Sequence, residues 1–450
     1  MELFNQIFQL VLCLSILVIL HEFGHYIPAK LFKTKVEKFY LFFDPWFSLV
    51  KKKIGETEYG IGWLPFGGYV KIAGMVDESM DTEQLKKPAE PWEFRSKPAW
   101  QRLIIMLGGV TVNFFLAWII YSCLSFFVGE TYHDNSQLQG GILVSAEGKK
   151  MGLETGDKIL KIDGKPAERM ETSMINMLFA NDVTVERNGK EVTFPVNEEG
   201  VADVIKSNEI KGYYTGRFSP VVDSILVNSP AQKAGLQKGD KIVSINGNKV
   251  AYYDEVAPLI EENKNQNISI AIERNGEQIS LPIQVDNEGK IGVGPDLQLA
   301  QAAINNVLVT KQYSFLEAVP RGFQRTIDVL VMQVKQFKII FNQKTQGYKK
   351  VAGPIGIVKM MPLKQDHQID WLGFWSFTAM FSVWLAFLNL IPIPGLDGGH
   401  VLFTLWEMIT GKPVPQKILE NAQMVGVIFL LALMILIFGS DIYKLIFNKW

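Results

Sequence analysis

The sequence predicts an α-helical polytopic membrane protein with four transmembrane helices, two inserted mostly-β domains and a membrane-associated β-hairpin. Three observations predict it. Four apolar runs approach or exceed the roughly 20 residues that cross a bilayer. Residues 129–300 lack such runs and carry an internal repeat. A short β-patterned stretch separates the first two runs. Hydrophobic residues make up 48% of the 450-residue chain and mean hydropathy is +0.12 although 20% of residues are charged, so apolar and polar residues must be segregated along it. The net charge of −1 argues against a nucleic-acid partner. Cys13 and Cys123 both fall in apolar runs and form no disulfide framework.

The first span covers Leu3 to Ile27 and is predicted to end at Pro28; its seventeen residues from Phe4 to Leu20 carry no charge. It lacks the basic leader of a signal peptide. It closes on His21-Glu22-Phe23-Gly24-His25. Residues four apart share a helix face, so His21 and His25 can offer ring nitrogens to one metal ion while Glu22 stands beside it as general base, the pattern of a zinc hydrolase. Ionisable groups at that depth in a span are functional by default. Alone, the pattern also fits two helix-terminal histidines favoured by the macrodipole. A second element is required.

The second span is Leu103 to Val128, with Asn113 its one strongly polar member; the third, Trp371 to Ile391, is stopped by Pro392 and Pro394; the fourth runs from Met424 to Gly439. Lys30, Lys33, Lys35 and Lys38 follow the first span and only Glu2 precedes it, which puts the amino terminus outside and residues 30–100 in the cytoplasm. The organisation expected is a first helix (1–30), a cytoplasmic loop (31–98), a second helix (99–128), two β domains (129–219 and 220–300), an amphipathic membrane-associated region (301–368), a third helix (369–400) and a fourth with the carboxyl-terminal residues (401–450).

In the cytoplasmic loop, Trp46–Lys53 and Thr57–Leu64 read as strand, turn and strand, followed by Pro65-Phe66-Gly67-Gly68-Tyr69-Val70 as a loop. That loop either dips into the membrane, with a strand edge free to hold an extended peptide, or closes an ordinary soluble hairpin. In the repeat, Gly152-Leu153-Glu154-Thr155-Gly156-Asp157-Lys158-Ile159 returns as Gly235-Leu236-Gln237-Lys238-Gly239-Asp240-Lys241-Ile242, and each copy reaches an Arg-Asn-Gly turn, at Arg187 and Arg274. Asn-Gly favours tight hairpins. The copies resemble the circularly permuted bacterial PDZ domain, which implies a peptide-accepting groove; the first copy departs from the pattern, with Ser145 to Lys150 where the second has Asn228 to Ala231.

After the repeat, Phe323, Ile327, Leu330, Val334, Phe337 and Phe341 recur at helical spacing, and Gly353-Pro354 separates that helix from the third span. The second chemical element is Asn389-Leu390-Ile391-Pro392-Ile393-Pro394-Gly395-Leu396-Asp397-Gly398-Gly399-His400. Prolines end the helix and glycines allow a sharp turn, so Asp397 projects at membrane depth, where a carboxylate is costly unless it meets a cation. First and third spans run in the same direction and end on the same side. Asp397, nearer the span, is the preferred third ligand, with His400, which starts the next segment, its rival, and two histidines plus a carboxylate leave zinc a fourth position.

Together these residues resemble the site-2 protease family of intramembrane zinc metalloproteases, in its bacterial RseP branch, over nearly the whole chain. The resemblance implies zinc held by His21, His25 and Asp397, and Glu22 as base and acid. It also implies that Asn389 holds the substrate backbone or its developing oxyanion, and that Pro65, Phe66, Gly67, Gly68 and Tyr69 form a membrane-dipping loop beside the site. Where the family often has Gly-Pro-x-x-Asn, this chain has Gly109-Val110-Thr111-Val112-Asn113: the proline is absent, and Asn113 is carried over with the substrate-contacting set, an interhelical hydrogen bond being the alternative. The expected substrates are single-span membrane proteins of the anti-sigma-factor type and signal-peptide remnants. The resemblance further implies cleavage within the lipid bilayer of a bacterial inner membrane, with the amino terminus and a substrate-filtering PDZ pair expected in the periplasm and the active site near the cytoplasmic side. Two other readings are open: a membrane-anchored binding protein that lacks zinc, and a transporter using the buried His, Glu and Asp, against which stand four spans without an inverted repeat.

Overall fold

The computed structural model describes residues 1–75, 88–207 and 212–447. The chain divides into two units: residues 1–129, 312–338 and 348–450 form one, and residues 130–311 with 339–347 the other.

Among the described residues of the first unit, four helices are long and apolar enough to cross a membrane: α1 (Glu2–Leu31), α2 (Ala99–Phe127), α5 (Trp371–Leu390) and α7 (Gln416–Ile446). Between α2 and α5 lie the amphipathic α3 (Phe315–Ile340) and the short α4 (Pro354–Lys359). Among the helices, two expectations need correction. Helix α1 does not end at Pro28 but runs one turn past it to Leu31, leaving Pro28 inside the helix. Proline removes one donor, the partner of the Gly24 carbonyl four residues back, without forcing an end so close to the terminus. The third and fourth spans are separated by an unforeseen helix, α6 (Asp397–Thr410), stopped by Gly411 in the left-handed conformation.

Helices α1 and α2 cross through glycine. A Cβ on Gly24 would collide with the Gly108 carbonyl, and one on Gly108 with that of Gly24. Without a hydrophobic drive between helices in lipid, such close backbone approach is what holds them. Arg102 pairs with Glu407, joining α2 to α6. In α7, Asp441 is fully buried and accepts hydrogen bonds from the amides of Gly353 (3.0 Å), Ile355 (3.0 Å) and Gly356 (3.1 Å), satisfying the open end of α4.

The hairpin is longer and more folded than its pattern indicates, with β1 at Val36–Ile54 and β2 at Thr57–Ile72. Each of Lys38 to Leu41 has two partners, Glu58 to Ile61 on one side and Lys71 to Gly68 on the other, while Val50 to Ile54 pair with Ile61 to Thr57. The strands thus fold back into four ribs. Residues 65–69, expected as a loop, belong to β2, whose corner lies between the pairs Phe43–Leu64 and Leu41–Gly68, with Gly67 at φ +143°. Proline has no amide hydrogen to give a ladder, and the corner takes its place there. Gly68–Ile72 is then an outer rib.

The second unit holds two mostly-β repeats of the same construction. In each, a four-stranded antiparallel sheet runs in one order: Lys165–Pro166, Lys158–Ile162, Asp182–Arg187, Lys190–Pro195, and Asn248–Lys249, Lys241–Ile245, Asn267–Arg274, Glu277–Gln284. The repeated Gly-Asp and Arg-Asn-Gly motifs explain each other. Buried Asp157 accepts from Arg187 Nε and Nη2 at 2.7 Å each and from the Glu154 amide, and Asp240 does the same with Arg274 and Gln237. The departure in the first copy disappears in three dimensions: Ser145 and Ser229 each cap a short helix, accepting at 3.2 Å from the amides of Gly148 and Gln232.

Candidate metal centre

Helix α1 places His21 and His25 one turn apart on the face turned to α2. Gly109 makes the room: a Cβ there would lie 2.5 Å from both His21 Cε1 and His25 Nε2. His25 Nδ1 sits 2.8 Å from the Ile105 carbonyl oxygen, and His21 Nδ1 is 3.1 Å from the Asn113 side-chain amide. Residues 105, 109 and 113 are successive positions on one face of α2, so a single helix stripe meets both rings.

The opposite edge of the rings faces the end of α5. There Pro392 and Pro394 interrupt the helix, Gly395 turns at φ +101°, and Asp397 opens α6. Gly398 packs on the carbonyls of Leu390 and Ile391, and Gly399 on Ile393 and Pro394, with no space for a Cβ. This close packing carries Asp397 back toward α1. Asp397 Oδ2 lies 3.2 Å from His21 Nε2 and 3.2 Å from His25 Nε2, and the two nitrogens are 3.3 Å apart.

That triangle matches a tetrahedral site. Donors about 2.0–2.1 Å from a tetrahedral ion stand roughly 3.3 Å from one another, and three protein donors leave one vertex open. The donor types, two imidazole nitrogens and one carboxylate oxygen, suit zinc. Asp397 Oδ2 is buried and receives no hydrogen bond, a costly state for a carboxylate that a cation would relieve. Among the described residues His21, His25 and Asp397 are the one group of three donors converging within 4.8 Å; His400 is not a member.

Glu22 adjoins this group, and the Val70 backbone amide lies close to its carboxylate. Val70 lies on the outer rib, and Gly68 of the same rib abuts Val18 of α1. Asn389 Nδ2 is 3.3 Å from His21 Nε2. Of the sequence-selected residues, His21, Glu22, His25, Asn113, Asn389 and Asp397 meet in one place, with Asn113 against a histidine ring, whereas Gly67 faces Phe43 and Tyr69 bonds Asp44 within the hairpin. At the hairpin's bend the polar groups are satisfied internally: Asp44 accepts from Tyr69 Oη and Ser48 Oγ at 2.9 Å each, and Trp63 Nε1 donates to the Pro45 carbonyl at 2.9 Å. Burial, reinforced by the Asp44 carboxylate, pushes the Tyr69 phenol well above its usual range and keeps it a donor. Trp46, beside them, is 91% exposed. Sequence reading missed Gly24, Gly108, Gly109 and Val70; the adjacent glycines of an otherwise apolar span were the available signal.

Comparison with known proteins gives the family of the chain. The profile of peptidase family M50 matches residues 9–433. The chain is 28% identical to the regulator of sigma E protease of Haemophilus influenzae and 26% identical to the regulator of sigma-E protease RseP of Escherichia coli, in each case over 97% of this chain and 98% of the relative. It is also 28% identical, with the same coverage, to a Neisseria meningitidis protein whose name assigns it provisionally to the zinc metalloproteases.

Proposed function

The chain belongs to peptidase family M50, the site-2 proteases, and from that premise we propose that it is an intramembrane zinc endopeptidase cutting the transmembrane segments of single-span proteins. The observation that carries the reading is the buried triangle of His21 Nε2, His25 Nε2 and Asp397 Oδ2, with edges of 3.2 to 3.3 Å. These three atoms would hold the ion. When bound, zinc supplies Lewis acidity, lowering the pKa of a water and polarising a carbonyl.

The chain's own residues do the rest. Glu22, adjoining the donors, accepts a proton from the attacking water on its carboxylate and returns it to the leaving amine. A helical substrate keeps its amides in internal hydrogen bonds and must unwind before it can be cut. The outer rib Gly68–Ile72 offers backbone partners that replace those bonds, and Pro65, Phe66 and Gly67 set its corner. Asn389, at the end of α5, holds the substrate backbone or the oxygen on which charge develops.

The sigma-E regulators among the relatives favour substrates of the anti-sigma-factor type, with remnant signal peptides as a second group. The two repeats serve as a PDZ-like filter on the periplasmic side of the inner membrane, admitting proteins whose outer domain has been trimmed. Lys30 in the last turn of α1 and Lys33, Lys35 and Lys38 just after it favour a site near the cytoplasmic face. The test is Glu22→Gln in detergent-purified protein. Zinc content should stay at one per chain while cleavage of a membrane-embedded reporter falls at least 1,000-fold, about the scale of a lost general base. Full activity in that variant would remove Glu22 from the mechanism, and zinc-free wild type would remove the enzyme reading.

A further inference from the structure

The two histidines are alike in the sequence and unlike in their surroundings. A neutral imidazole carries one hydrogen; if Nε2 gives its lone pair to a metal, the hydrogen must sit on Nδ1 and find an acceptor. For His25 that acceptor is a main-chain carbonyl, Ile105 O at 2.8 Å, which offers no alternative. His25 is therefore locked in the ligating tautomer. For His21 the group at Nδ1 is the Asn113 amide, at 3.1 Å through Nδ2. His21 Nε2 lies 3.2 Å from Asp397 Oδ2, which receives no hydrogen bond, and 3.3 Å from the Asn389 amide nitrogen, so the tautomer of His21 is not fixed as that of His25 is, and the group at Nδ1, the Asn113 amide, decides it. The same amide turned half a revolution presents its carbonyl oxygen, and the ring hydrogen then moves to Nδ1.

Asn113 is fitted for that turn and for little else. It is fully buried, its Oδ1 has no hydrogen-bond partner, and its backbone oxygen is fixed separately by Ser382 Oγ at 2.7 Å. An amide's two ends are alike in size, so the turn needs no repacking. We propose that Asn113 is a positioning residue that sets the tautomer of His21, turning its carbonyl to Nδ1 so that the ring hydrogen sits there and Nε2 is free to hold a metal. Asn113 is thereby assigned to the ligand and not to the substrate, and His25 is the preformed ligand while His21 is the conditional one. This rests on the zinc reading of the centre.

The experiment measures zinc affinity by chelator competition in the full-length, detergent-purified protein, beside the ¹⁵N imidazole shifts of His21 and His25 with and without zinc. Asn113→Leu keeps the size and removes the acceptor, and should lower zinc affinity 10- to 100-fold, the usual effect of losing a group that orients a ligand. Asn113→Asp keeps an acceptor and should stay within threefold of wild type. With zinc bound, both His25 and His21 should carry their hydrogen on Nδ1, and in Asn113→Leu only His25 should keep that placement. A folded Asn113→Leu protein with wild-type zinc affinity would overturn the proposal, as would an Asn113→Asp protein as weak as the leucine variant. If Asn113→Leu does not fold, the aspartate variant and the wild-type shifts still decide. Were Asn113 only an interhelical tie, both variants would lose thermal stability with zinc affinity unchanged. Wild type that binds no zinc would sink the zinc reading itself, a different outcome from any of these.

Discussion

Gly109→Ala tests whether the centre owes its geometry to backbone approach. The added methyl carbon would stand 2.5 Å from His21 Cε1, 2.5 Å from His25 Nε2 and 2.7 Å from His21 Nδ1. Ordinary carbon contacts begin near 3.5 Å, so each ring must retreat by about 1 Å. Metal–ligand distances tolerate about 0.2 Å. The alternative is for α1 and α2 to part by a similar distance, which gives up the Gly24–Gly108 contact and stretches the 2.8 Å bond from His25 to the Ile105 carbonyl. Either way at least one ligand leaves its place. Zinc affinity should fall at least 100-fold, about 2.7 kcal/mol, and reporter cleavage with it. Gly439→Ala, in α7, is the control: nothing lies within 4 Å of its added carbon, and zinc and activity should not change. Chelator competition on both purified variants decides. Gly109→Ala holding zinc within threefold of wild type would refute the claim that glycine makes the room.

Other expectations concern stability. Asp157→Asn breaks the buried pair with Arg187 in the first repeat and should cost about 3 kcal/mol, read as a lower melting temperature of the second unit. A change within 0.5 kcal/mol would show that the Gly-Asp motif serves something other than this pair. Asp441→Asn replaces a carboxylate serving three amides by a group with fewer lone pairs, and should make the 353–356 segment more open to amide hydrogen exchange; unchanged exchange would deny the cap. Burial alone would raise Glu255, but hydrogen bonds from the Ala251 amide, Arg217 and the Tyr252 amide outweigh it and hold its carboxyl below the usual value. A depressed acid adds stability that is complete above its unfolded pKa near 4.3 and is lost as pH falls through the folded value. Melting temperature should thus drop on acidification in wild type, and by less in Glu255→Gln, which itself costs about 1 kcal/mol at pH 7; parallel pH curves would contradict this.

Much of the architecture was legible because apolar length and period are local properties. The four spans, the repeat and the amphipathic α3 were each visible as patterns of composition. So were the donors, since His-Glu-x-x-His and the Pro-x-Pro-Gly-Leu-Asp run are chemically improbable inside lipid without a joint purpose. What was not legible depends on pairing at a distance. Leu41 has partners at both Ile61 and Gly68, a fold-back that no alternation of residues 36–72 announces. Helix α6 escaped notice because its amphipathic face begins inside a glycine-rich turn. Asn113 was visible as a polar residue in an apolar helix, but which ring it would meet depends on where α2 crosses α1, and that is fixed by Gly24 and Gly108.

Those glycines point to how a metal site survives in lipid. The donors come from two helix ends separated by more than 370 residues, and no hydrophobic drive presses apolar helices together there. Contact must come from shape. Gly24 and Gly108 bring two backbones together, Gly109 opens the gap for two rings, and on the far side Gly426 of α7 lies against the Pro394 carbonyl so closely that a side chain has no place. The turn that delivers Asp397 is therefore backed by α7 as the histidines are backed by α2. A larger residue at 426 would press on Pro394, three residues from Asp397, without touching a donor. The fourth span, which contributes no ligand, thus takes part in setting the position of one.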